Sequence, residues 1–187
     1  MTNKKRHLSY ALFDTALGRC AIAWSDRGVV RIQFPDASDA KAVRRLAMDD
    51  ELTAAEPPAL VRRAIDAIRR HLDGDVQDFR DLTLDMSGVA DFHLRVYKGA
   101  RKVSPGRTVS YGELASSIGS PGAARAVGQA LGKNPLPIVV PCHRVLAANG
   151  KAGGFSAYGG LATKRRILSV EGVELGESAP PRKPRVP

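Results

Sequence analysis

Apolar and polar positions alternate at the start of the chain, and the alternation predicts a sheet. Residues 7–13 and 19–25 read as strands joined by a turn ending in Gly18. Asp26-Arg27-Gly28 is a hairpin signal, and 29–34 forms a third strand that Pro35 ends. Cys20 falls inside the second strand and is expected to be inert. The period then lengthens. Residues 38–48 can form a short helix starting at Ser38. After the Glu56-Pro57-Pro58 break, Val61, Ala64, Ile65, Ile68 and Leu72 fall at helical spacing, with Arg62, Arg63, Arg69 and Arg70 off that face. Asp73-Gly74 stops the helix, and 82–86 reads as one more short strand.

From about residue 90 short helices dominate. Phe92, Val96, Tyr97 and Ala100 make one stripe. Ser110 and Glu113 form a capping box that opens a helix over 111–118. Ser120 and Pro121 predict an N-cap and first turn for a second helix over 121–132. Two short helices around a glycine-containing turn give a helix-turn-helix pattern. Residues 138–140 are too short for an amphipathic helix and read as a buried segment between prolines. Asn149-Gly150 signals another hairpin. The glycine-rich loop 153–160 lacks the GxGxxG spacing of a nucleotide fingerprint and reads as a flexible wing. A helix over 161–170 is closed by Glu171-Gly172, and its Lys164-Arg165-Arg166 cluster suits either phosphate contact or solubility. The proline-rich tail 177–187 is expected to be disordered. The pattern is α+β, with a supporting domain at 1–88, a second domain at 89–176 and the tail.

Charge separates the halves. Residues 1–88 hold 14 basic and 14 acidic side chains, whereas 89–187 hold 15 and 5 and carry the whole +10. Such asymmetry points to a polyanion partner for the second half. There are two cysteines and no CxxC or Cys/His cluster, so neither a metal site nor a disulfide framework is implied. No run approaches a membrane span. A monomeric cytoplasmic protein is expected, with no membrane association.

The candidate chemistry gathers at Pro141-Cys142-His143-Arg144, a thiol beside an imidazole after a rigid apolar run. Free cysteines are usually small buried hydrophobes, and that reading stands beside the reactive one. The second helix is slim, with Ala123, Ala124, Ala126, Gly128 and Ala130 around the single charge of Arg125. It fits either tight packing within the domain or entry into a DNA groove. A cysteine hydrolase using Cys142, His143 and Glu171, and a winged helix-turn-helix regulator with a structural cysteine, are the rival readings.

Pro141-Cys142-His143-Arg144-Val145 resembles the signature of the O6-alkylguanine-DNA alkyltransferases. Tyr111-Gly112-Glu113-Leu114-Ala115, Ala124-Arg125-Ala126-Val127-Gly128, Asn134-Pro135 and the ending at Glu171-Gly172 follow in the family's order and spacing. The resemblance covers 92–172 and implies a ribonuclease-H-like N-terminal domain before a winged helix-turn-helix domain that binds DNA. It implies single-turnover transfer of an alkyl group from O6 of guanine (and O4 of thymine) in double-stranded DNA to Cys142, without a cofactor. In the roles it implies, His143 reaches the thiol through a water and Glu171 orients His143. Tyr111 donates to the leaving base, while Asn134 and Arg144 brace the site. Val145, Phe155, Ser156 and Tyr158 line the base pocket, with the carbonyls of Cys142 and Val145 accepting from the guanine amine. Arg125 fills the place of a flipped base, on a helix whose Ser120, Ala124, Ala126 and Gly128 approach the minor groove. Phe155 departs from the tyrosine common in the family, and Ala157-Tyr158 lengthen the loop.

Overall fold

The computed structural model describes residues 5–154 and 159–175. Phe155, Ser156, Tyr158 and the tail lie outside the described residues, so the expectations placed on them are not addressed by the fold. Strands β1 (His7–Thr15), β2 (Gly18–Ser25) and β3 (Gly28–Gln33) form the expected antiparallel meander. A fourth strand, β4 (Glu51–Ala54), pairs parallel to β1 and completes the order β3-β2-β1-β4. The sequence pattern did not predict β4. It is short and mostly exposed, and the ion pair of Arg6 with Asp50 (2.9 Å) anchors its start to the chain just before β1.

Helix α1 (Asp39–Ala47) begins where expected, with Ser38 accepting from the Lys41 amide. It covers one face of the sheet, where Leu46 packs with Ala21 and Ala23. Helix α2 (Ala59–Leu72) lies among the residues covering the other face, packed with Cys20, Ile22 and Trp24. With both faces covered, β2 reads as a continuous apolar run instead of an alternating one. Residues 82–86 do not form a strand. Only Leu84 bridges Val29, flanked by Val29 N–H to Thr83 O at 3.1 Å and Asp85 N–H to Val29 O at 2.8 Å. Gly28 permits this approach: it holds φ +146°, and a Cβ there would stand 2.7 Å from Thr83 O.

Helices α3 (Asp91–Ala100), α4 (Tyr111–Ser117) and α5 (Ala124–Gly132) pack on one another, and the capping box at Ser110 and Glu113 is present. The start of α5 differs from expectation. Ser120 does not cap it. Ala123 occupies the N-cap without a side-chain bond, because Gly122 turns the chain at φ +82° and the Ala123 amide closes on Ser120 O at 3.1 Å. Helix α6 (Gly160–Val170) follows the glycine-rich loop.

Asn149-Gly150 does not close a β-hairpin. It lies in a 3₁₀ turn, with the Ala147 amide on Lys151 O at 2.9 Å, and β6 (Val145–Leu146) pairs in parallel with β5 (Val109–Ser110). One apolar core runs through both halves, joining Phe34, Val61 and Ile68 to Val96, Val127, Val140 and Ile167. The Ile32 amide donates to Pro135 O at 2.9 Å, tying β3 to the segment before Cys142. Among the described residues no helix is long and apolar enough to cross a membrane.

Candidate active site

The turn carrying Cys142 is built by one side chain. Asn134 donates through Nδ2 to Val140 O (2.8 Å) and accepts through Oδ1 from the Leu136 amide (2.9 Å). This closes residues 134–140 into a compact loop, reinforced by Val140 N–H to Leu136 O at 2.8 Å. The expected buried segment is therefore buried but turned: Ile138 holds φ +71° while only 1% exposed. A β-branched residue in that region costs on the order of 1–3 kcal/mol, which the surrounding bonds and burial must outweigh. Pro141, at φ −79° and ψ 67°, centres an inverse γ-turn with the Cys142 amide on Val140 O at 2.8 Å. Cys142–Arg144 then form a single 3₁₀ turn.

Cys142 is half-buried. Burial pushes its thiol above the ordinary value, opposed by a hydrogen bond with Asn134, the charge of Lys164 and the amides of Cys142 and His143. At rest it is a protonated thiol with anion-stabilising groups around it. Tyr111, the first residue of α4, is raised by burial and then by the nearby Cys142, so its hydroxyl remains a donor. Gly153 makes room for its hydroxyl, while Gly128 leaves an ordinary contact distance to its ring. A Cβ on Gly128 would lie 3.7 Å from Cε1, and one on Gly153 only 3.0 Å from the hydroxyl oxygen. Gly128 thus lies against the tyrosine ring.

Behind Cys142 lies a buried carboxylate. Burial opposes ionisation of Glu171, but bonds from His143, His71 and Arg144 outweigh it and hold the group well below the usual carboxylate range. His143 Nε2 stands 2.9 Å from Oε1. Arg144 donates through Nε to Oε2 (2.9 Å) and through Nη2 to Oε1 (2.8 Å), with Nη1 on Val103 O (2.6 Å). Burial pulls the His143 pKa down, and Glu171 partly restores it. His143 Nδ1 is buried with no partner among the described residues.

The fold therefore gathers Cys142, His143, Arg144, Val145, Asn134, Tyr111 and Glu171. Arg125 is exposed on α5, with Ala124, Ala126 and Gly128 half-buried beside it and Ser120 half-buried in the preceding turn. Two residues of the site were not foreseen. Lys164 is no surface cation. It is fully buried, donates to Val145 O at 2.8 Å, and burial lowers its pKa to about 8. One lone pair of the Val145 carbonyl is thereby taken. The signal was its helical spacing, three and four residues before the buried Ile167 and Leu168. His71 reaches Glu171 from α2, 100 residues earlier, and no spacing links the two. No metal-binding group occurs among the described residues.

Known proteins are similar to this chain in sequence and in fold. Residues 8–86 match the family model for the ribonuclease-like domain of 6-O-methylguanine DNA methyltransferase, and 91–173 match that for its DNA-binding domain. The methylated-DNA–protein-cysteine methyltransferase of Methanothermobacter thermautotrophicus is 35% identical over 82% of this chain and 80% of its own. That of Mycobacterium tuberculosis is 46% identical over 61% of this chain and 67% of its own. The crystal structure of Mycobacterium tuberculosis OGT in complex with DNA superposes with a TM-score of 0.72, at 35% identity, over 88% of this chain and 93% of that one. The O6-methylguanine-DNA methyltransferase of Pyrococcus kodakaraensis gives 0.69 at 29% identity, over 89% and 99%. With both domain models matched in order along one chain, this protein belongs to the methylated-DNA–protein-cysteine methyltransferase family.

Proposed function

We propose that this methyltransferase repairs alkylated DNA by moving the alkyl group from O6 of a flipped-out guanine to Cys142, once per chain. The observation that carries the reading is the cluster itself: a shielded thiol, a buried His143–Glu171 pair behind it and the Tyr111 donor beside it. The thiol proton passes through a water to His143, whose buried Nδ1, without a partner among the described residues, suits that contact. Glu171 stabilises the imidazolium that results, following the logic of a catalytic triad. Cys142 Sγ attacks the alkyl carbon in line, forming S–C as C–O6 breaks, and the electron pair stays on guanine. The Tyr111 hydroxyl donates to the base as this charge develops. The proton that guanine regains equals the one the thiol gave up, so no cofactor enters the balance. The same displacement serves O4 of thymine.

Reaching the base requires taking it out of the stack, at a cost of a few kcal/mol. Arg125, exposed among small residues on α5, fills the space left behind. Small residues permit close approach to the minor groove, where sequence readout is poor, and this suits lesions found anywhere. The basic second half supplies phosphate contacts that weaken with salt. The thiol chemistry fits a reducing cytoplasm. The test is to incubate the protein with duplex DNA holding O6-methylguanine and weigh it intact. One methyl group per chain, on the peptide containing Cys142, is the expected result. Multiple turnover, or an adduct on Cys20, would refute the reading.

A further inference from the structure

His71 stands on the apolar face of α2 among Val61, Ala64, Ile65, Ile68 and Leu72, and it is fully buried. A buried imidazole needs partners for both nitrogens. The Gln77 amide donates to Nδ1 at 3.1 Å, which makes Nδ1 the acceptor and leaves the ring proton on Nε2. Nε2 lies 3.1 Å from Glu171 Oε1. The distance is that of a hydrogen bond but the approach is bent, and Nε2 lacks a well-aligned partner. The cause is crowding. The same oxygen already receives His143 Nε2 at 2.9 Å, Arg144 Nη2 at 2.8 Å and Arg144 Nε at 3.2 Å, so a further donor arrives off the lone-pair directions. The Phe79 ring, 5.0 Å away and tilted by 56°, packs against the imidazole.

The geometry points to His71 as a positioning residue of the alkyl-transfer site, holding Glu171 Oε1 on His143 from the N-terminal half of the chain. This rests on the His143–Glu171 relay proposed above. Arg144 grips both carboxylate oxygens, Oε2 through Nε and Oε1 through Nη2 and Nε, and so sets the plane of the carboxylate. His71 converges on the oxygen that His143 uses and holds it on His143 within that plane. The charged and titratable groups facing it are Glu171, Arg144 and His143, while Arg69 and Arg70 of its own helix point outward.

The experiment compares His71→Phe with His71→Gln. Phenylalanine keeps the ring volume and removes the donor. The glutamine amide nitrogen reaches about as far as Nε2. His71→Phe is expected to slow single-turnover methyl transfer from duplex DNA about tenfold, since a displaced relay loses orientation. The acid limb of its pH–rate profile should move, because the carboxylate that supports His143 is no longer held in place. His71→Gln should restore both the rate and the profile. A role in packing alone predicts the reverse order, with phenylalanine the better replacement. The proposal is overturned if His71→Phe stays within about twofold of the parent with the same profile, or if His71→Gln is as slow as His71→Phe. Should His71→Phe fail to fold, His71→Leu set against His71→Gln reads the same way. Glu171→Gln is the control. If it leaves the rate and profile unchanged, the relay itself is wrong; if it changes them while His71→Phe does not, only the role of His71 is lost.

Discussion

Each half of the molecule holds one cysteine, Cys20 buried and Cys142 half-buried, and the two thiols have opposite surroundings. Cys20 lies inside the sheet, where burial raises its pKa to about 11 and only a bond to Thr15 opposes the shift. Cys142 is also raised by burial, yet Asn134, Lys164 and two backbone amides work against the shift. Burial is thus common to both and does not tell a structural thiol from a reactive one. What differs is the supply of groups that would welcome the anion, together with a buried His143–Glu171 pair able to take the proton. The sheet half offers Cys20 the Thr15 hydroxyl alone and no such pair. Its contribution to the chemistry comes through His71 on α2.

The sharpest way to break this contrast is to delete each thiol in turn. Cys142→Ala should abolish methyl uptake entirely, whereas Cys20→Ala should keep one methyl per chain, read by intact-protein mass. Glu171→Gln should come next. Weakening the relay is expected to cost roughly 100-fold in transfer rate, the scale of a misplaced general base, and to raise the pH at which Cys142 ionises. Because Arg144 loses its buried counter-charge, the melting temperature should fall as well, by the equivalent of about 3–5 kcal/mol at most. Arg125→Ala should slow repair in duplex DNA roughly tenfold, the range of one lost transition-state contact, while reaction with free O6-methylguanine changes little. Equal losses on both substrates would remove Arg125 from base extrusion.

The smallest effect is in the pH dependence of stability. Glu171 and His143 have folded-state pKa values below their ordinary 4.5 and 6.5. Each therefore contributes stability that is present above its ordinary pKa and lost as pH falls below it. Cys20 and Cys142 are raised above 9.0, so their contribution is present below that value and lost as pH climbs beyond it. Denaturation midpoints should fall in acid, where Asp14, Asp50, Asp78 and Asp85 of the first half, also held below their ordinary value, add to the loss from Glu171 and His143, and the alkaline loss from the two thiols is partly offset by Lys164, lowered to about 8. Cys20→Ala should flatten the alkaline arm without touching the acid arm.

Much of this was legible in the residues. The meander, α2 and the capping box at Ser110 followed from periodicity and local chemistry, which act within a few residues. Cys142, His143 and Arg144 are adjacent and announce themselves. Glu171 lies 28 residues beyond His143, and only family resemblance connected them. His71 was illegible because a histidine on an apolar helix face reads as core. Its role depends on α2 meeting the end of α6, a fact of tertiary packing. Lys164 was misread because a run of three basic residues suggests a surface, although its helical phase points inward. Strand β4 escaped because four mostly exposed residues hold no pattern of their own. The early start given to α5 trusted Ser120-Pro121 over Gly122, whose positive φ breaks the helix register.

The bond from Ile32 N–H to Pro135 O has a consequence beyond catalysis. β3 is the outermost strand of its sheet on that side, and an open outer strand is a template for pairing with other chains. Here the backbone of Val29 is taken by Thr83 and Asp85, and Ile32 is taken by Pro135. The loop that delivers the thiol therefore also guards the sheet against self-association. Loosening it, as Asn134→Ala would, should show up as aggregation on heating as well as lost activity, so repair competence and solubility are joined through one turn of chain.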